Sequence, residues 1–450
     1  MMKSKYFHSM KIKDNVYAVF NSLILDVEYI TDKDFNLINN EKYDEIDSDK
    51  LKTYVNKGII VESEVTDQKA YDILYKNYIN DCRKLDFMYL IITQGCNLGC
   101  KYCFLENMDA NWVNRRMDIK TASVAIDKYV QHIKKNKIAE ACIMLFGGEP
   151  LINWELFKGI INYTRTTYPE LFRKNAKNKL SFRTVTNGTL ITKQKALYFK
   201  KNNIIPAISL DGPKHINDKN RIFKGGNKSV YDAVMNVIKI LKENDCQFGL
   251  SITLSKEVVE EGQKIVDWLK DLDVKDIYFN PLHYNESNDE WKEHYEKSTK
   301  FIIDSFFELL KNDIVNGRPV RQISSFVKRS FYYADCGSAG VHQIAVKPDG
   351  EVLVCQCDYT SEKNKLGNIL EDDIGSMINS ANTERWIKSI PLLKKECQNC
   401  ESIFICGGSC LTQNANMFDH SCMVDQTYCI YIKTMLEWLI KRWYEEKEGK

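Results

Sequence analysis

Charge of either sign is not in excess in this sequence. Lys+Arg totals 63 and Asp+Glu 61 over 450 residues, a formal net charge of +2. That balance argues against a dedicated nucleic-acid binder, which needs a basic excess or stripe. Long apolar runs are missing as well. No stretch of about 18 apolar residues occurs, so no membrane span is expected. The opening MMKSKYFHSMKIKDN has no apolar signal core, so secretion is not expected and the cytoplasm is. Repeats and low-complexity tracts do not stand out. What is there is ordinary globular material, 44% hydrophobic and 28% charged. At about 100–200 residues per domain the length predicts two to four domains. The anomaly is 15 cysteines. Reduced thiols at close spacing point to metal binding or catalysis, not disulfides.

The cysteines are unevenly spread. Cys96, Cys100 and Cys103 form one group, and nine more fall between Cys336 and Cys429. Cys82, Cys142 and Cys246 stand alone. Cys142 lies in an apolar run and Cys246 beside a predicted strand, so both read as core residues.

Hydrophobic period divides the chain. In residues 1–85, YAVFNSLILDVEYI reads as strands, followed by helix-forming stretches and an apolar GIIV, a small α+β unit. From Phe87 short apolar strands alternate with amphipathic helices. The strands are expected at Phe87–Thr93, Ala141–Phe146, Leu180–Thr186, Ile204–Leu210, Phe248–Leu254 and Ile277–Pro281. After Ser229, the residues Val230, Val234, Val237, Ile238 and Leu241 fall on one helical face, and Ser229 with Asp232 resembles a capping box. Such alternation predicts a parallel sheet with right-handed crossovers. Six units are fewer than the eight of a closed barrel, so the expected fold is α/β, a partial (β/α)6 barrel with its chemistry at the C-terminal strand ends. Beyond about residue 320 the alternation gives way to Gly, Cys and short strands, up to a C-terminal helix near Tyr428–Glu446. The expected division is 1–85, 86–320 and 321–450.

The first strand leads into Gln94-Gly95-Cys96-Asn97-Leu98-Gly99-Cys100-Lys101-Tyr102-Cys103. Three thiolates on one loop can hold three corners of a four-iron cluster and leave the fourth iron open. An open metal position is where a substrate or cosubstrate binds. Structural zinc sites come instead as paired C-x2-C units, which this triplet is not. The C-x3-C-x2-C loop after a first barrel strand, with aromatic Tyr102 before the third cysteine, resembles the radical S-adenosylmethionine (radical SAM) enzymes. The resemblance implies that the open iron chelates S-adenosylmethionine, and that one electron splits it to methionine and a 5′-deoxyadenosyl radical that abstracts a substrate hydrogen. A second stretch, Gly147-Gly148-Glu149-Pro150, ends the second strand. Its glycines permit close backbone approach and Glu149 offers an acceptor for a cationic amine. In the family such a stretch contacts the methionyl amino group. Thr186-Asn187-Gly188-Thr189 and Ser209-Leu210-Asp211-Gly212, with Arg221 beyond, read as Asn-Gly and Asp-Gly turns. They also resemble cosubstrate-contacting loops, which implies contacts from Asn187, Ser209 and Arg221.

The second group runs Cys336, Gly350-x4-Cys355, then Cys397-x2-Cys400-x5-Cys406-x3-Cys410 and Cys429. This order resembles the SPASM extension of the same family, and with the barrel motifs the resemblance spans about residues 87–435. It implies two auxiliary [4Fe-4S] clusters, three in all. Cys397, Cys400, Cys406 and Cys429 would bind the outer one. Cys336, Cys355 and Cys410 would bind the inner one, with Cys357 or a substrate thiolate as the fourth ligand. Cys422 is left over as a packed thiol. A cysteine-rich scaffold holding zinc is the non-enzymatic alternative.

SPASM-bearing relatives mostly modify peptides, and many carry a small winged-helix domain that binds a precursor's leader as an added strand. Residues 1–85 have the size and strand-then-helix order of such a domain. The resemblance thus implies a maturase forming thioether crosslinks in a ribosomally made peptide, the sactipeptide and ranthipeptide class, fed by a flavodoxin- or ferredoxin-type electron donor. Carbon–carbon crosslinking or epimerisation would use the same parts. The rival is anaerobic sulfatase maturation to formylglycine. Cys357-Asp358-Tyr359 resembles those enzymes, in which the Asp is a catalytic base, although Gln356-Cys357 departs from their pattern.

Overall fold

All six expected strands are present in the computed structural model, at Phe87–Thr93, Glu140–Gly147, Lys179–Thr186, Ile205–Ser209, Gly249–Leu254 and Asp276–Pro281. The structure describes residues 1–103, 105, 115–226, 228–282, 289–357, 362–412 and 424–448. Each of the six strands pairs in parallel with the next. The side-chain period of two explains their composition. In Gly249–Leu254, Leu250, Ile252 and Leu254 are buried beneath the helices, while Ser251 and Thr253 take the opposite face. Each fully buried Leu or Ile contributes about 1.5–3 kcal/mol.

The sheet is larger than six strands. Val315–Asn316 pairs in parallel outside the sixth strand. Gln343–Val346 pairs in parallel with the first, and Glu351–Leu353 and Lys365–Asn368 follow antiparallel, for a 10-stranded mixed sheet. These additions cover edges that would otherwise present unpaired amides. Helices fill the crossovers. The helix Val230–Glu243 buries Val230, Val234, Val237, Ile238 and Leu241, and Ser229 Oγ accepts from Asp232 N at 2.9 Å. Cys142 and Cys246 are core residues, each 7% exposed.

The chain forms two compact units. One, Arg83–Arg318 with Val341–Ile387, contains the whole sheet. The other comprises Met1–Cys82, Pro319–Gly340 and Lys388–Lys450. Its strands Phe7–Lys13, Val16–Asn21 and Glu28–Thr31 form an antiparallel sheet in that order. The first hairpin turns at Asn15, whose φ of 62° is a left-handed position that Asn tolerates. Thr31 caps the helix Asp32–Asn39 and Asp47 caps Ser48–Asn56. Val19, Ile30, Leu37, Ile38, Tyr54 and Ile60 make the core beneath. The C-terminal helix, Gln426–Glu448, also meets this sheet. Tyr29 Oη donates to Ile440 O at 2.7 Å, and its ring lies 4.9 Å from that of Tyr444. Among the described residues no helix is long and apolar enough to cross a membrane.

Candidate active site

The cysteine loop is gripped from both sides by backbone. Gly99 N donates to Ile222 O at 2.8 Å, Lys101 N to Asn220 O at 3.0 Å and Lys224 N to Asn97 O at 3.0 Å. Opposite, Gly148 N donates to Thr93 O at 3.0 Å and Glu149 N to Gly95 O at 2.9 Å. Only glycine allows this approach. A Cβ at position 147 would collide with Thr93 O, and one at 148 would lie 2.6 Å from the carbonyl oxygens of Gln94 and Gly95. Cys96 Sγ accepts from Leu98 N at 3.4 Å and from Asn187 Nδ2 at 3.8 Å. Burial pushes its thiol up to about 12. The Leu98 amide opposes that shift, while Glu149, Cys100 and Cys103 add to it.

Glu149 is fully buried. Its Oε1 accepts from Leu151 N at 2.9 Å and Thr186 Oγ1 at 2.8 Å, and its Oε2 from Asn187 N at 2.7 Å. Burial raises its carboxyl against the pull of those donors. It therefore ties the second strand end to the third. Pro150 begins the short turn of helix that Glu149 caps.

Asp211, 0% exposed, is a hub, a role beyond the Asp-Gly turn that its sequence suggests. Arg221 Nε donates to its Oδ2 at 2.9 Å and Nη2 to its Oδ1 at 3.0 Å. Thr253 N donates to Oδ1 at 2.9 Å, and the Tyr102 hydroxyl donates to Oδ2. The Arg221 guanidinium also lies 5.5 Å from the centre of the Tyr102 ring. Burial lifts the Tyr102 phenol well above its ordinary value, opposed by Arg221 and helped by Asp211.

A cavity of about 360 Å³ opens at these strand ends. Cys96, Cys100, Tyr102 and Cys103 line it with Gly147, Gly148, Asn187, Ser209 and Arg221, so six of the eight expected cosubstrate contacts meet one space. Glu149 and Pro150 do not line it. One wall is apolar: Tyr89, Leu105, Met144, Phe146 and Val185. Ser251, Thr253, Asn280 and Gln356 are polar lining residues that the sequence reading missed, and Asn280 Nδ2 donates to Ser251 Oγ at 2.9 Å. Residues of the first and sixth strands border one cavity, so the sheet curves. Cys357 lines the cavity too, while Cys355 is buried at 4% exposure with its sulfur 3.4 Å from Cys357 N. Asp358 and Cys422 lie outside the described residues.

Four further thiols gather in the other unit. Cys397, Cys400 and Cys406 come from the stretch after Lys394, and Cys429 from the C-terminal helix. Burial first, and neighbouring cysteines after it, push Cys397 up to about 11 and Cys429 up to about 12. Cys406 rises well above the ordinary thiol range for the same reasons. Gly408 N donates to Cys406 Sγ at 3.4 Å, and Ser402 Oγ is buried with no hydrogen-bond partner. Cys336 and Cys410 belong to this unit, Cys355 and Cys357 to the sheet unit. Among the described residues no three His, Cys, Asp or Glu side chains are placed to share a single metal ion. Soft donors with amide N–H groups aimed at sulfur suit iron–sulfur clusters.

Residues 90–269 match the Radical SAM superfamily, and residues 336–401 match SPASM, an iron–sulfur cluster-binding domain. Radical SAM cyclopropyl synthase TigE of Paramaledivibacter caminithermalis is 24% identical over 98% of this chain and 96% of its own length. A cysteine-type anaerobic sulfatase-maturating enzyme of Clostridium perfringens is 26% identical over 78% of this chain and 95% of its own. The solved structure of native anSMEcpe with bound AdoMet superposes with a TM-score of 0.68 at 22% identity, over 81% of this chain and 100% of that one. Streptococcus suis SuiB bound to precursor peptide SuiA gives 0.55 at 14% identity, over 95% and 99%. These likenesses to solved structures speak for the fold.

Proposed function

The chain carries a radical SAM domain followed by an SPASM domain, and from that premise we propose that it is a maturase of ribosomally made precursor peptides. The observation that carries this reading is the shared cavity. Three loop thiols, the polar groups of Asn187, Ser209 and Arg221, and Cys357 all face one space. Cys96, Cys100 and Cys103 would hold the barrel cluster and leave one iron for S-adenosylmethionine. Bound together, the two supply hydrogen-atom abstraction from carbon. Asn187, Ser209 and Arg221 hold the cosubstrate's polar groups. Asp211 fixes the Arg221 fork, and Glu149 fixes Asn187 from below. The wall of Tyr89, Leu105, Met144, Phe146 and Val185 keeps water from the reacting carbon. Cys397, Cys400, Cys406 and Cys429 would hold an auxiliary cluster. A flavodoxin- or ferredoxin-type protein delivers electrons.

The product we favour is a thioether. Joining a cysteine sulfur to carbon removes two hydrogens. One would leave carbon as an atom and the other would leave the thiol as a proton, and the remaining electron is what an auxiliary cluster would be there to accept. Residues 1–85 bind the leader as an added strand on the sheet that starts at Phe7. Likeness to SuiB over 95% of this chain supports a precursor-peptide substrate, since SuiB is solved with one, while the sulfatase maturase leaves about a fifth of this chain unmatched. TigE's own name favours a second product, a carbon–carbon bond.

Mass spectrometry of a cysteine-containing precursor peptide after anaerobic turnover decides. Loss of two hydrogens with cysteines closed to alkylation supports the thioether. The same loss with cysteines open supports carbon–carbon bonding. Formylglycine in a sulfatase peptide, with the precursor unchanged, overturns the maturase reading.

A further inference from the structure

The four-thiol site carries a charge pair whose placement packing does not explain. Glu401 directly follows Cys400. Lys433 lies one turn beyond Cys429 on the helix Gln426–Glu448, and the i, i+4 spacing puts both on one face. Lys433 Nζ sits 3.1 Å from Glu401 Oε1, with the two side chains 52% and 35% exposed. An ion pair that exposed adds little stability. Its position is the informative part. It joins the two segments that supply Cys400 and Cys429, and the Lys433 charge is felt at both thiols. His8, stacked 5.8 Å from the Phe20 ring on the N-terminal sheet, faces the same pair.

The potential of an iron–sulfur cluster depends on net charge, hydrogen bonds to sulfur and solvent exposure. Reduction adds a negative charge, so a nearby cation eases it and a nearby anion resists it. We propose that Lys433 and Glu401 form a balanced control on the reduction potential of the cluster held by Cys397, Cys400, Cys406 and Cys429. Lys433 raises that potential and Glu401 lowers it, each masking part of the other. The inference rests on the reading of these four thiols as cluster ligands. Both residues are positioning residues, since they act through the cluster and touch no substrate.

The test is a redox titration of the reconstituted full chain, followed by electron paramagnetic resonance. The relevant signal is the one lost in Cys400→Ala and Cys429→Ala. Lys433→Met should shift its midpoint to more negative potential and Glu401→Gln to more positive potential. The double variant should fall between them, and Lys433→Arg should match wild type. High salt should shrink the single-variant shifts, because the pair is solvent-exposed. Midpoints that stay put, or that move in the same direction for both single variants, overturn the proposal while leaving the cluster in place. Should no signal depend on Cys400 and Cys429, the cluster reading itself fails, and the proposal with it.

Discussion

Asp211 joins three parts of the site through one carboxylate. It holds the Arg221 fork, receives the Tyr102 hydroxyl from the cysteine loop and caps Thr253 N of the fifth strand. Asp211→Asn removes the charge and leaves Arg221 buried without a counterion. Breaking one side of a buried pair costs about 3–5 kcal/mol. The variant should unfold at clearly lower denaturant, and if enough folds to assay, S-adenosylmethionine binding should weaken by about tenfold. Unchanged affinity by calorimetry would show that Arg221 needs no help from Asp211. The cysteine loop was legible because its ligands are contiguous and their spacing is itself the chemistry. Asp211 was visible only as a turn residue, because its role depends on an arginine ten positions on folding back over it. Ser251, Thr253 and Asn280 were invisible for a related reason. A single polar residue in an apolar strand acquires meaning only when six strand ends converge.

Elements succeed or fail by how closely their backbones approach. Gly148 sits against two carbonyl oxygens of the cysteine loop, so Gly148→Ala must push the loop away. Its reconstituted protein should carry about four fewer irons than wild type, and an iron assay reads this directly. A full iron complement would mean the loop tolerates the displacement. The helix Asp289–Lys311 gives a pH test. His294 is 8% exposed, and its Nε2 meets Leu254 O at 2.9 Å. Burial pushes its imidazole below the ordinary value, against the Leu254 carbonyl, so the fold holds it neutral. The unfolded chain protonates near pH 6.5, the ordinary value for histidine. Its contribution to stability is complete above that pH and is lost as pH falls toward the lowered folded value. Thermal midpoints should decline across that window, and His294→Gln should flatten the decline. A wild-type profile no steeper than the variant's contradicts this. The six long strands were legible from apolar runs bounded by turns. Val315–Asn316 and Gln343–Val346 were not, because two to four residues carry no period and their partners are distant in sequence.

For the whole molecule, most of the fifteen cysteines make sense as a proposed metal inventory, with Cys142 and Cys246 set apart in the core. The three proposed clusters would call for about twelve irons per chain, and a chelator that strips them should lower the thermal midpoint, because the thiols would then lose the metal that ties them together. Zinc in a colourless protein would return the molecule to a cysteine-rich scaffold. The most direct test is cosubstrate cleavage under strictly anaerobic, reducing conditions. The reconstituted wild type should convert S-adenosylmethionine to methionine and 5′-deoxyadenosine, and the combined Cys96→Ala, Cys100→Ala and Cys103→Ala variant should form neither. Equal cleavage by both proteins, or none by the wild type with its clusters loaded, would contradict the account.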